Sequence, residues 1–143
     1  MAVRSKRFEY ATAVDADGTM TAEGAAPLYP APDWTPDHLV LAALARCSLG
    51  SLQHHARRAG LTFEGGASAR GTVAQRAEDG RFAIVEAAVA MDVRLDPAPA
   101  DDALRLLLVK AERDCFVGAS LRVPPRYSWT VNGTPVAGAV ETA

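Results

Sequence analysis

Residues 36–59 are the segment that most constrains what this chain can fold into. From Leu39 to Leu52 the only charge is Arg46, and the only hydroxyl side chains are Ser48 and Ser51. The start is well marked. Thr35 is a good N-cap, Pro36 fits the first helical position, and Asp37 suits the positive end of the dipole. Trp34 and Leu39 occupy the two positions of a hydrophobic staple, and Gly60 is a natural stop. One helix over 36–59 would be about 36 Å long at 1.5 Å per residue. A helix apolar nearly all round is buried nearly all round. The chain has 143 residues and 15.1 kDa, which suits one domain over 1–143. Such a domain can lay a sheet on one side of the helix and has little left for the other. A second copy is therefore expected to supply the missing cover.

The flanking segments read as strands and one further helix. Residues 3–14 alternate well enough for a strand, with Asp15-Ala16-Asp17-Gly18 as a hairpin turn and 19–23 returning. Residues 24–35 hold three prolines and read as an ordered loop. Residues 67–77 and 82–95 read as a hairpin across Glu78-Asp79-Gly80. In its second strand Ala83, Val85, Ala87, Val89, Met91, Val93 and Leu95 form one apolar face at period two. Asp101 and Asp102 open a helix to about Asp114, with Leu104, Leu107, Leu108 and Ala111 on one face. A helical turn over 116–122, a strand over 127–131, the Asn132-Gly133 turn and a short edge strand complete the chain. The order is α+β, with antiparallel sheets expected around a long buried central helix.

Composition narrows the function. Apolar residues make up 49% and charged residues 22%, an ordinary globular balance. The net charge of −2, with basic residues scattered, gives no reason to expect nucleic acid. No apolar run approaches the ~20 residues of a membrane helix, and the first residues lack the apolar core of a signal peptide. Two cysteines 68 residues apart do not make a disulfide scaffold. A reducing cytoplasm is the expected compartment. No cofactor motif appears. His54 and His55, near the end of the long helix, find no third ligand in the sequence, so no metal is expected.

The segment Thr35-Pro36-Asp37-His38-Leu39-Val40-Leu41-Ala42-Ala43-Leu44-Ala45-Arg46-Cys47, then Ala111-Glu112-Arg113-Asp114-Cys115 and Ser120-Leu121-Arg122, resembles the OsmC/Ohr family over essentially the whole chain. Its members are thiol-dependent organic hydroperoxide reductases and their relatives. The resemblance implies an intertwined homodimer around the long helix. It implies that Cys47 attacks the peroxide and becomes a sulfenic acid, and that Cys115 resolves it to a disulfide. A dithiol, a lipoyl group in particular, would then reduce the pair. It also implies an arginine and an acid that hold the reactive thiolate.

Asp37 stands at the acid's position, but ten residues along one helix put it about 15 Å from its own Cys47. It therefore either serves the partner's cysteine across a two-fold or is a plain first-turn dipole partner. Residues 8–45 contain no Arg or Lys, which leaves Arg4, Arg7 or a residue from elsewhere, such as Arg70, as the source of the guanidinium. Arg46 adjoins Cys47 but points about 100° away around the helix, as a rim or interface residue would. Being mid-helix, Cys47 has no helix N-terminus of its own to help it ionise. Tyr29, Trp34 and Phe116 are candidate walls of an apolar pocket for bulky hydroperoxides, or plain core. Two other readings stand beside peroxidase: an OsmC-like protein that binds a small molecule or thiol ligand without reducing peroxides, and an interaction protein with inert cysteines.

Overall fold

The computed structural model describes residues 6–29 and 32–136. The chain forms two compact units, Met1–Pro36 and Asp37–Ala143. In the first, β1 (Thr12–Val14) and β2 (Met20–Ala22) pair antiparallel across the expected turn, with Asp15 and Thr19 closing it backbone to backbone at 2.9 Å. Strand structure is expected from residue 3. Residues 3–5 lie outside the described part, and residues 6–11 are not strand. The Ala11 N–H donates to the Glu23 carboxylate at 3.0 Å instead of to a neighbouring strand, and the ladder stops there.

In the second unit α1 (Pro36–Arg58) takes the expected span to within one residue. A four-stranded sheet runs in the order β3 (Thr62–Gln75), β4 (Phe82–Asp96), β5 (Arg126–Val131), β6 (Thr134–Val136). The expectation of purely antiparallel sheets is corrected here, because β5 pairs parallel to β4, Ala88 opposite Arg126 through Val93 opposite Val131. The chain leaves the far end of β4, runs back through α2 (Asp101–Arg113) and α3 (Phe116–Ser120), and re-enters the sheet in the same direction. A helix between two neighbouring strands is the connection that parallel pairing needs.

Two details of β3 and β4 also differ from expectation. β3 starts at Thr62, not 67, because Glu64-Gly65-Gly66 pairs with Arg94-Val93-Asp92 despite lacking apolar alternation. Gly65 is required there: a Cβ would stand 2.5 Å from the Asp92 carbonyl oxygen. The register slips between Thr72 and Val73, so Val73 faces Ile84. This bulge moves Ile84 against the core in place of the expected face through Val85 and Ala83.

The core joins the inner face of the sheet (Val89, Met91, Val93, Leu95, Trp129, Val131) to Leu107, Leu108 and Ala111 of α2 and one stripe of α1. That stripe is Leu44, Ser48, Leu52 and Ala56, spaced four apart and 0–1% exposed. The rest of the apolar helix is covered only in part: Leu41, Cys47 and Leu49 are half-buried. Ala42, Ala43 and Gly50 are exposed, and Val40 is 38% exposed.

Candidate functional site

Both cysteines are free thiols. Cys47 lies beside the buried stripe of α1 and is half-buried; Cys115, the second of the two residues between α2 and α3, is fully buried. Cys47 and Cys115 lie close enough to shift each other's ionisation, so two residues far apart in sequence meet in one place. Cys47 also lines a cleft of about 550 Å³ with Ala43, Gly50, Phe116 and Val117 as apolar wall and Arg46, Ser51, His54, His55 and Asp114 as polar edge. Cys115 does not line it. One thiol can meet a ligand entering from the cleft, and the other waits behind it.

Two polar contacts hold α1 against the end of α2 and the turn that carries Cys115, and a third braces the turn itself. Ser51 donates to the Ala111 carbonyl at 2.7 Å. His55 Nε2 pairs with Asp114 Oδ2 at 2.7 Å. The guanidinium of Arg113 binds the same Asp114 carboxylate at 2.8 and 3.0 Å. The Arg113 guanidinium holds Asp114 down to about 2; burial opposes it, and the His55 bond adds a smaller downward pull.

The two sulfurs sit in different electrostatic settings. Burial pushes the Cys47 thiol up. The backbone N–H groups of Val117 and Phe116, in the first turn of α3, oppose that without cancelling it. The sequence offers Cys47 no helix start of its own, and another part of the chain brings one. Cys115 is also pushed up by burial, but it is more than repaid by hydrogen bonds from Ser48, the Gly118 N–H, Cys47 and Tyr127, and it ends below its ordinary value. Ser48 Oγ lies 3.5 Å from Cys115 Sγ and 3.3 Å from Tyr127 Oη, and donates to the Leu44 carbonyl at 2.9 Å. Burial pushes the Tyr127 hydroxyl strongly up, so it stays protonated.

The other expected residues fall as follows. Asp37 is exposed in the first turn of α1 and does not line the Cys47 cleft. Arg46 is at the cleft edge, as its position beside Cys47 suggests. Arg70 is exposed, on the face of β3 opposite the core-facing Ala67 and Ala69, and lines a separate cavity with Arg126. It is therefore removed as a source of charge for the same chain's Cys47. Arg7 is exposed and pairs with Glu9 at 3.5 Å, and Arg4 lies outside the described residues. Of the three aromatic candidates Phe116 lines the cleft; Tyr29 and Trp34 are exposed. Among the described residues no cluster of His, Cys, Asp and Glu could hold a metal, and no guanidinium is hydrogen-bonded to Cys47. Ser48 and Tyr127 were not among the expected site residues. The one signal for Ser48 is a hydroxyl on the Leu44–Leu52 stripe, where an apolar side chain would ordinarily sit.

Comparison with known proteins identifies relatives of this fold. The family model described as OsmC-like protein matches residues 30–130. The OsmC-like protein of Mycoplasma pneumoniae superposes with a TM-score of 0.67 at 16% identity, over 90% of this chain and 99% of that one. An organic hydroperoxide resistance protein of Elizabethkingia anophelis gives 0.60 at 20% identity, over 90% and 98%. One from Legionella pneumophila gives 0.59 at 16% identity, over 89% and 98%. No curated protein matches the chain. Among the described residues no helix is long and apolar enough to cross a membrane.

Proposed function

Because the chain belongs to the OsmC-like protein family, we propose that it is a thiol-dependent peroxidase for organic hydroperoxides, working through Cys47 and Cys115. The observation that carries this reading is the pairing of a cleft-lining thiol with a neighbouring buried one whose ionisation it shifts. Neighbours titled as organic hydroperoxide resistance proteins support it.

The Cys47 thiolate attacks the outer peroxide oxygen, the O–O bond breaks, and the alcohol leaves with a proton, giving Cys47 sulfenic acid. The Cys115 thiolate attacks that sulfur, the S–O bond breaks, and the hydroxide takes up a proton and leaves as water. A dithiol of the lipoyl type then reduces the disulfide. The apolar wall of Phe116 and Val117 suits a bulky organic peroxide. Thiolate, not thiol, is the nucleophile, so the N–H groups of Val117 and Phe116 are the activating partners within one chain.

The full residue range 1–143 acts in this reading as one functional unit, a homodimer. The uncovered apolar positions of α1 support the dimer, and Asp37 would then act on the partner's site. The free thiols suit the cytoplasm, where they stay reduced. The test is consumption of cumene hydroperoxide with dihydrolipoamide, wild type against Cys47→Ser, with peptide mapping for a Cys47–Cys115 link. Turnover that survives Cys47→Ser ends the proposal.

One observation favours a second reading, an OsmC-like binder of a small molecule or thiol ligand without peroxidase activity. Burial raises the Cys47 thiol, and no guanidinium bonds to it among the described residues. Peroxide left unconsumed by wild type, with a ligand retained in the cleft, would favour it.

A further inference from the structure

Three hydroxyl and thiol groups from three elements meet behind the cleft: Ser48 on α1, Cys115 after α2, and Tyr127 on β5. Ser48 Oγ bridges the other two at 3.5 and 3.3 Å, and the Tyr127 hydroxyl also acts directly on the Cys115 thiol. Beyond Tyr127 lies a second cavity of about 320 Å³, whose lining includes Glu112, Gly118, Pro125 and Tyr127 itself. Tyr127 therefore stands between the buried sulfur and a space separate from the Cys47 cleft.

We propose that Ser48 and Tyr127 form a hydroxyl relay that carries the Cys115 thiol proton into this second cavity and so readies Cys115 to close the disulfide. The proposal rests on the peroxidase reading for its place in the reaction, though not for its geometry.

Proton accounting supports the relay. Ser48 has one hydroxyl proton, and at rest gives it to the Leu44 carbonyl. The Cys115 S–H and the Tyr127 O–H can then both point at the Ser48 oxygen, whose lone pairs are open to them. For transfer the two hydroxyls first turn, Ser48 O–H from the Leu44 carbonyl to Tyr127 and Tyr127 O–H toward the cavity. Cys115 then gives its proton to Ser48, Ser48 passes its own to Tyr127, and Tyr127 releases one to solvent water entering the second cavity. Ser48 and Tyr127 are left neutral, with both hydroxyls able to turn back toward the sulfur. Leu44 loses little, because its carbonyl also accepts the ordinary helical bond from the Ser48 N–H. The thiolate then has the Ser48 O–H and the Gly118 N–H as donors, in a dry site where each is worth more than in water.

Other charged groups around Cys115 are accounted for. On α1, Cys47 donates to it. On α2, Glu112 faces Tyr127 and opposes negative charge there. Asp114 is occupied by Arg113 and His55. α3 offers the Gly118 N–H. Tyr127 is a positioning residue in this scheme, since it touches the Cys115 network and not the peroxide.

Two measurements on the full chain test the relay. Tyr127→Phe removes one hydroxyl and keeps the ring that stacks on Trp129 at 5.9 Å. After one equivalent of cumene hydroperoxide, dimedone trapping and mass spectrometry give the ratio of Cys47 sulfenate to disulfide. Tyr127→Phe and Ser48→Ala should each raise that ratio about tenfold, the effect of one unit in the ionisation midpoint of Cys115. Independently of any peroxide, Cys47→Ser leaves Cys115 as the sole thiol. Its thiolate absorbance at 240 nm should then titrate about one unit higher when Tyr127→Phe is added. An unmoved midpoint overturns the relay. So does a wild-type sulfenate ratio in both variants. If wild type forms no sulfenate at all, the peroxidase reading falls and the titration alone decides the relay.

Discussion

The indole Nε1–H of Trp129 donates to Glu112 Oε1 at 2.7 Å, linking the core strand β5 to α2. Burial pushes Glu112 up, and the indole bond only partly offsets this. Glu112→Gln keeps an oxygen for the indole and removes a half-buried charge. It should be neutral or stabilising at pH 7, by up to about 1 kcal/mol. Glu112→Ala leaves the indole N–H without its acceptor and should cost about 1–3 kcal/mol. Chemical denaturation of both variants checks the pair. The sign follows from linkage: the folded value is raised, so folding binds protons, and the penalty from this carboxylate eases as pH falls through it.

Asp114 works in the opposite direction. Its folded value of about 2 lies below its ordinary ~3.9, so the unfolded chain binds the proton more tightly. Its contribution is complete above about pH 4 and is lost between about pH 4 and pH 2. Melting curves over pH 2–5 should show a falling limb that Asp114→Asn flattens. The carboxylate is exposed, so the limb should be shallow.

Gly118 leaves room that no other residue would. A Cβ there would stand 3.3 Å from both Tyr127 Oη and Pro125 Cγ and 3.6 Å from Cys115 Sγ. Gly118→Ala should displace the tyrosine hydroxyl before it unfolds anything. The expected stability cost is about 1 kcal/mol, within the 1–3 typical of overpacking. Denaturation measures that cost, and the pH titration of Cys115 should shift upward in parallel.

α1 has two kinds of apolar position. Leu52 is 0% exposed within one chain, and Leu52→Ala should cost about 2–5 kcal/mol at any protein concentration. Val40 is 38% exposed, and Val40→Asp should weaken a dimer while leaving the chain folded. Sedimentation equilibrium at low micromolar concentration separates the two. A wild-type monomer under those conditions would remove the dimer from the proposed function.

Elements whose identity follows from local pattern are plain in the sequence. Pro36, the apolar run and Gly60 mark α1; Asp101, Asp102 and the Leu107–Leu108 face mark α2. What escapes is set by contacts between distant residues. The parallel placement of β5 depends on where α2 and α3 lead it, and nothing in Tyr127–Val131 encodes direction. Glu64-Gly65-Gly66 is strand only because β4 extends to meet it. At the site, Cys47 and Cys115 are visible through a motif, whereas Ser48 and Tyr127 gain meaning only when β5 is laid beside the turn after α2.

The crossover that makes β5 parallel also sets when the two sulfurs can meet. The β3–β4 hairpin joins neighbours in sequence and can form early, but Cys115 is held in place by Ser48 and Ser51 of α1 and Tyr127 of β5, two elements far from each other in the chain. Contacts of such wide sequence separation form late in folding. A chain still emerging or only partly folded carries two isolated cysteines, so an oxidant arriving then leaves Cys47 oxidised with no neighbour to rescue it. In the proposed reaction, Cys47 gains its resolving partner, and with it a defence against irreversible oxidation, only once β5 is in place.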